Sequence, residues 1–311
     1  MTATSPVRIF CGADRSQQLA FRVLAHSIER HTSRPVEIRL IDNGDAPMPA
    51  DPRHAPYTEF SFARFAIPAM CGHAGKAIYM DSDMLVFADI GELWDSPLDD
   101  AKIAIEVGSR DQETRGRHAA VMLLDCARLD WKVADIVAGL GERYDYNALM
   151  AIDPLLQPGE MQERIPAGWN DLDRYEAGRT RNLHYTEIRT QPWVYAGHPH
   201  GDLWVRELRG MLDEGDIEPE EIRAEVEAGY ARPSLLVELA LEPAPAGGRG
   251  TEALQALDRE YGFVAHRKLL ARFAERKKAI ARWRRDEATR ARPWLGWWYA
   301  LVYRYRYGKG E

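Results

Sequence analysis

The residues best suited to chemistry in this chain are Asp81 and Asp83, which interrupt the apolar stretch KAIYMDSDMLVFADIGELW at residues 76–94. Ala77-Ile78-Tyr79-Met80 has the character of a buried strand, and Met84-Leu85-Val86-Phe87 resumes it after the aspartates. Two carboxylates at the end of a core strand are costly to bury unless a cation pairs with them. In extended backbone, side chains two residues apart point to the same side, so these two converge. Carboxylate oxygens suit a hard divalent ion such as magnesium or manganese. An ion held this way, with coordination positions left open, can grip a diphosphate. The plainer alternative is a surface turn capped by the two aspartates, and the tripeptide alone does not separate the two.

The flanking segments predict a scaffold able to position such a site. Residues 7–13 (VRIFCGA) read as a strand, residues 17–31 carry Leu19, Val23, Leu24 and Ile28 at helical spacing, and residues 36–41 read as a second strand. This strand–helix–strand order predicts a parallel sheet, whose strand-end loops commonly hold ligands. Asp14 stands in the first such loop, placed either to contact a ligand or to cap the following helix. In FSFARFAIPAM (60–70), Arg64 is one cation among apolar groups and needs an acceptor, either a ligand or a partner in a surface salt bridge. Strands are expected at 102–106 and 118–126, with a polar loop at 110–117 over the site, and helices at 131–140 and 144–151.

Residues 76–94 resemble the metal-binding segment of the retaining glycosyltransferases of family 8, which have the GT-A fold. There a strand ends in Asp-x-Asp and is followed by a second short strand, Asp-Ile and Leu-Trp. Residues 181–193, RNLHYTEIRTQPW, are similar to a second motif of that family: a histidine ending a strand, then glycine, lysine and Pro-Trp. His184 and Pro192-Trp193 match, with one residue more between them. Gln191 stands where the lysine is expected, and Arg189 lies close enough in sequence to supply the charge. The resemblance ends near residue 200.

The resemblance implies a Rossmann-like, mostly parallel mixed sheet flanked by helices. It also implies transfer of a sugar from a nucleotide-sugar, a UDP-sugar above all, to a glycan or lipid-linked acceptor with retention of configuration. Mn2+ (or Mg2+) would be held by Asp81, Asp83 and His184. The family carries a helix comparable to residues 60–70, and the donor would meet Asp14 through its base and Arg64 of that helix through its sugar and phosphates. Ser82, His118, Ala119, Arg189 and Gln191 would complete that side. Trp169 and Asn170 could face the acceptor, unless Trp169 is core. Asp153 could stand near the reacting carbon, or simply open the turn before Pro154. The family has Asn-Ala-Gly where this chain has His118-Ala119-Ala120, which leaves the identity of the sugar open, and no residue is assignable as a nucleophile. A haloacid dehalogenase-like phosphatase also uses Asp-x-Asp, but needs Thr or Val where Leu85 stands. A binding protein that kept the fold without catalysis is the other alternative.

The chain has 311 residues, 45% hydrophobic and 29% charged, the composition of a globular protein. No run approaches the roughly 20 apolar residues of a membrane span, and MTATSPVRIF lacks a secretory pattern. Cys11, Cys71 and Cys126 read as buried thiols of a reducing compartment, so a cytoplasmic location is expected. The net charge of −7 conceals an asymmetry. From Arg267 onward there are 14 lysines and arginines against 4 acidic residues, about +10, which leaves about −17 on the rest. Trp294, Trp297, Trp298 and several tyrosines follow, a combination suited to an anionic membrane surface and less to nucleic acid, with a plain helical cap or an oligomer contact as the other reading. The expected plan is a catalytic domain at 1–205, a helical appendage at 206–242, a linker at 243–250 (within EPAPAGGRG) and a basic, aromatic helical tail at 251–311, read as one long helix from Thr251 to about Arg290.

Overall fold

Apolar residues in the strands alternate between two cores, one on each face of a central sheet. A computed structural model describes residues 5–49, 51–56, 58–108, 119–245 and 247–307. Its strands are β1 (Val7–Gly12), β2 (Val36–Ile41), β3 (Lys76–Asp81), β4 (Met84–Val86), β5 (Ile103–Glu106), β6 (Val121–Asp125), β7 (Met161–Ile165), β8 (Asp171–Leu172) and β9 (Asn182–His184). Six of them form a sheet in the order β2-β1-β3-β6-β5-β7. β1 runs parallel to β2 and β3, and β5 parallel to β7, while β6 is antiparallel to both its neighbours. Ile9, Cys11, Ile78, Met80 and Leu123 face a core shared with Leu24 and Ile28 of the helix Gln18–His31. Phe10, Tyr79, Met122 and Leu124 face the opposite core with Phe62, Phe65 and Trp131. Cover on both faces is why these strands read as continuous apolar runs. The expected α/β architecture is borne out.

A second sheet, β4-β9-β8, stands beside the end of β3. The helices Gly201–Glu214, Pro219–Glu227 and Ser234–Glu238 pack on the outer side of Gln18–His31, where Leu19 and Val23 meet Trp204 and Leu208. Arg30 and Glu207 join the two longer helices at 2.6 Å.

Three segments differ from their sequence reading. Residues 60–70 are a 3-10 helix, Glu59–Ala66, followed by one α turn, Ile67–Met70. Three residues per turn stack Phe62 and Phe65 on one side, and both are fully buried. The stretch from residue 251 is broken into Thr251–Glu260 and Arg267–Ala291, with Gly262 and His266 at positive φ in the turn between them. A further helix, Gly296–Tyr307, carries the terminal aromatics. Of the cysteines, Cys11 and Cys126 are buried, but Cys71 is half-buried. A hydrogen bond with Cys126 holds its thiol down to about 7. The loop at 110–117 and His118 lie outside the described residues.

Candidate active site

Strand register assembles the site. Asp81, the last residue of β3, is the partner of Gly12, the last residue of β1. Glycine is required at that position, because a Cβ would stand 2.4 Å from the ring of Phe60. Tyr79, two residues before Asp81 and on the same side of the strand, donates its hydroxyl to Asp81 Oδ1 at 2.5 Å. Arg64 Nη2 reaches the same oxygen at 3.4 Å. Its guanidinium lies 4.5 Å over the Tyr79 ring and donates to the Ala119 carbonyl at 3.2 Å. Arg64 Nε is buried with no partner among the described residues.

β9 carries the histidine to the same place. It pairs antiparallel with β4, with His184 opposite Met84, and Tyr185 N donates to the Asp83 carbonyl at 2.8 Å. His184 Nε2 is then 3.1 Å from Asp83 Oδ1, and Nδ1 is 2.9 Å from Asn170 Oδ1. Asn170 owes its position to a turn at Gly168, where φ is +93° and a Cβ would strike the Arg179 carbonyl. The N–H groups of Gly168, Trp169 and Asn170 all donate to Glu106 Oε1, at 2.7, 3.0 and 3.2 Å. A single carboxylate at the end of β5 therefore holds the loop that orients the histidine. The second oxygen of Asp83 accepts from Gln191 Nε2 at 2.8 Å.

The electrostatics of this set favour a cation. Burial raises the pKa of Asp81; Arg64 works against that shift, and Asp83 adds to it. At His184, burial opposes charge, but Asp83 and Asp81 outweigh it and the pKa is raised. One ligand atom from each of Asp81, Asp83 and His184 lies within 4.8 Å of the others. When Nδ1–H of His184 donates to Asn170, the Nε2 lone pair confronts the Asp83 oxygen, so a proton or a metal ion must sit between them. Adjacent ligands on an octahedron with bonds of about 2.1 Å stand roughly 3 Å apart, close to the 3.1 Å found here. An outer partner that fixes the ring of a ligating histidine is a regular feature of metal sites. Ser82 Oγ, between the two aspartates, is buried without a partner among the described residues. The residues present fit a hard divalent cation.

The other expected residues are distributed as follows. Asp14 is buried, accepts from Ser16 N at 2.8 Å and pairs with Arg272 at 3.0 Å. Ala119 meets Arg64 through its carbonyl. Trp169 is fully buried in the core, whereas Asn170 reaches the histidine. Arg189 is exposed, and its N–H lies on Glu187. Asp153 opens an exposed 3-10 turn, Asp153–Leu155. The sequence reading passed over Tyr79, although its spacing from Asp81 could have revealed it. It also passed over Glu106, His266 and Arg272, which carry no local signal.

Solved structures share this fold. The galactosyltransferase LgtC, in complex with donor and acceptor sugar analogs, superposes with a TM-score of 0.51 at 16% identity, covering 70% of this chain and all of that one. Glycosyltransferase GlyE of Streptococcus pneumoniae has a TM-score of 0.51 at 15% identity, covering 74% of this chain and 65% of that one. At such identities the likeness is one of fold, and the fold is GT-A. In sequence, the family model for glycosyl transferase family 8 matches residues 13–134. Protein CDI of Arabidopsis thaliana is 31% identical over 231 residues, 65% of this chain and 86% of that protein. Glycosyltransferase 8 domain-containing protein 1 of Mus musculus is 36% identical over 86 residues, 28% of this chain and 18% of that protein. The chain belongs to glycosyl transferase family 8 and is a glycosyltransferase. The phosphatase and the non-catalytic alternatives fall away.

Proposed function

We propose that this glycosyltransferase moves a sugar from a UDP-sugar to a glycan or lipid-linked acceptor, with Mn2+ or Mg2+ held by Asp81, Asp83 and His184. The observation that carries the reading is the convergence of these three side chains, within 4.8 Å, where β3 ends. When bound, the cation supplies neutralisation of charge on the leaving diphosphate. The chain's own residues do the rest. Arg64, fixed over Tyr79, offers a planar guanidinium to phosphate oxygens. Asn170 keeps His184 Nε2 turned toward Asp83, and Gln191 anchors the other Asp83 oxygen. Asp14, two residues past β1, caps the turn that follows and would meet the base on release from Arg272, and Asn170 is the better placed of the two acceptor candidates because Trp169 is enclosed. Positioning of donor and acceptor is the protein's main contribution to rate. Retention of configuration follows the family.

A screen of nucleotide sugars for hydrolysis should find UDP release from one of them that requires manganese or magnesium and stops in EDTA. Turnover of none, or an equal rate in EDTA, sinks the reading.

The tail belongs to the same proposal, as the contact with an anionic membrane surface. No helix among the described residues is long and apolar enough to cross a membrane. Trp294, Trp297, Trp298, Leu301 and Tyr305 are exposed and recur at helical spacing, so they form one outward stripe. A groove of about 640 Å3 between the last two helices carries Lys277, Arg284, Arg285 and Arg306 among Ile280, Val302 and three tyrosines. Each such cation near an anionic leaflet contributes about 1 kcal/mol, less in salt. Full-length protein should float with phosphatidylglycerol vesicles at low salt and not with neutral ones, and exchange of the three tryptophans for alanine should release it. Equal flotation on neutral vesicles, or no flotation at all, argues against this role.

A further inference from the structure

The basic helix Arg267–Ala291 does more than extend from the body; it runs across the site. Its attachment begins at the metal-binding set. His266, the residue before its first turn, is buried, and its Nε2 is 2.8 Å from Gln191 Oε1. The other end of that amide donates to Asp83 Oδ2 at 2.8 Å and to the Tyr185 carbonyl at 2.9 Å. Gln191 thus links helix to metal ligand, and it brings no charge to the site. Six residues on, a rise of about 9 Å along a helix, Arg272 Nη2 is 3.0 Å from Asp14 Oδ2. Asp14 itself lies two residues beyond Gly12, the register partner of Asp81, which is about 7 Å of extended chain. The first turns of the helix therefore span the distance from the metal-binding carboxylates to the buried Asp14. Farther along, Arg53 stacks 3.4 Å from the Trp283 ring and holds the helix to the body.

We infer that this helix roofs the donor cleft and that Arg272 is the cation that meets the donor's diphosphate, the charge that Gln191 does not supply. This rests on the nucleotide-sugar reading given above. Asp14, Asp81 and Asp83 carry three negative charges, and Arg64 answers one. A divalent cation brings this set to neutrality and leaves both charges of a sugar-nucleotide diphosphate unmatched. Arg272 matches one of them. Its side chain is 42% exposed, so it has room to turn from Asp14 to an incoming phosphate, and a guanidinium can bind two phosphate oxygens at once. The donor site is then incomplete without residues beyond 266, and the tail that faces the membrane is the same chain segment that closes on the nucleotide.

Calorimetry on the full chain with MnCl2 tests this, using UDP and uridine as probes. Arg272→Ala should weaken UDP binding by about tenfold or more, the scale of one lost hydrogen bond to a charged group, and change uridine binding far less. Arg272→Lys should lie between. Lys278→Ala, which removes one charge from the same helix where the lysine pairs with Glu275 at 3.1 Å, should bind UDP like the wild type. Matching melting temperatures establish that each variant folds. UDP binding undiminished or tightened in Arg272→Ala overturns the arginine's role, as does an equal loss for uridine, which would place Arg272 on the base. If the wild type itself takes up no UDP with manganese, the nucleotide reading falls first and this inference falls with it.

Discussion

Asp83→Asn should lower metal-dependent kcat/KM by about a thousandfold or more, roughly 4 kcal/mol of transition-state stabilisation, while leaving the fold intact. Both oxygens of Asp83 are in use: one faces His184 Nε2 at 3.1 Å and the other accepts from Gln191 at 2.8 Å. The amide has the carboxylate's shape, so its oxygen can still accept from Gln191 and its NH2 can donate to the histidine lone pair. That donation satisfies the protein's hydrogen bonds, and for this reason stability should hold. It also fills the position a cation needs, so the change removes one ligand and occupies a second. UDP release measured across a manganese titration, beside a melting curve, separates the two effects. Turnover within tenfold of the wild type at saturating manganese would count decisively against Asp83 as a metal ligand.

Arg64 gives the second large effect, on stability as well as donor binding. It is buried, stacked over Tyr79, and the described residues offer Asp81 no other cation at this distance. Arg64→Met fills much of the volume and leaves the partly buried Asp81 carboxylate with the Tyr79 hydroxyl alone, which costs about 1–3 kcal/mol. The melting temperature should fall accordingly in EDTA and recover in part when manganese is added, because the ion takes over compensation of Asp81. Arg64→Lys should keep most of the stability and lose the planar fork, so KM for the donor rises while the melting temperature stays near that of the wild type. Two results would refute this account: a methionine variant that melts with the wild type in EDTA, or a lysine variant with unchanged donor hydrolysis. The partial rescue by metal is the specific signature, since a simple packing defect would not respond to it.

The local pattern of the chain determined more here than is common. Asp81 and Asp83 stand out because an apolar strand cannot end in two carboxylates without a reason, and that judgement needs only neighbouring residues. The alternation of Phe10 with Ile9 and Cys11, or of Tyr79 with Ile78 and Met80, likewise reports two covered faces from the sequence itself. His184 was legible because Pro192-Trp193 follows it in the order the family uses.

What the sequence could not decide was which distant segments meet. His184 joins Asp83 only because β9 pairs with β4 in a register that sets it opposite Met84, about a hundred residues earlier in the chain. Asn170 orients that histidine because Glu106 gathers three N–H groups of its loop, a bond pattern between segments more than sixty residues apart. The continuous helix expected after residue 251 breaks at Gly262 and His266, and that break sends Arg272 to Asp14, 258 positions away. Periodicity records which face of an element is apolar. It carries no information on strand register or on the direction a chain takes after a turn, and both are set by how the elements pack against one another.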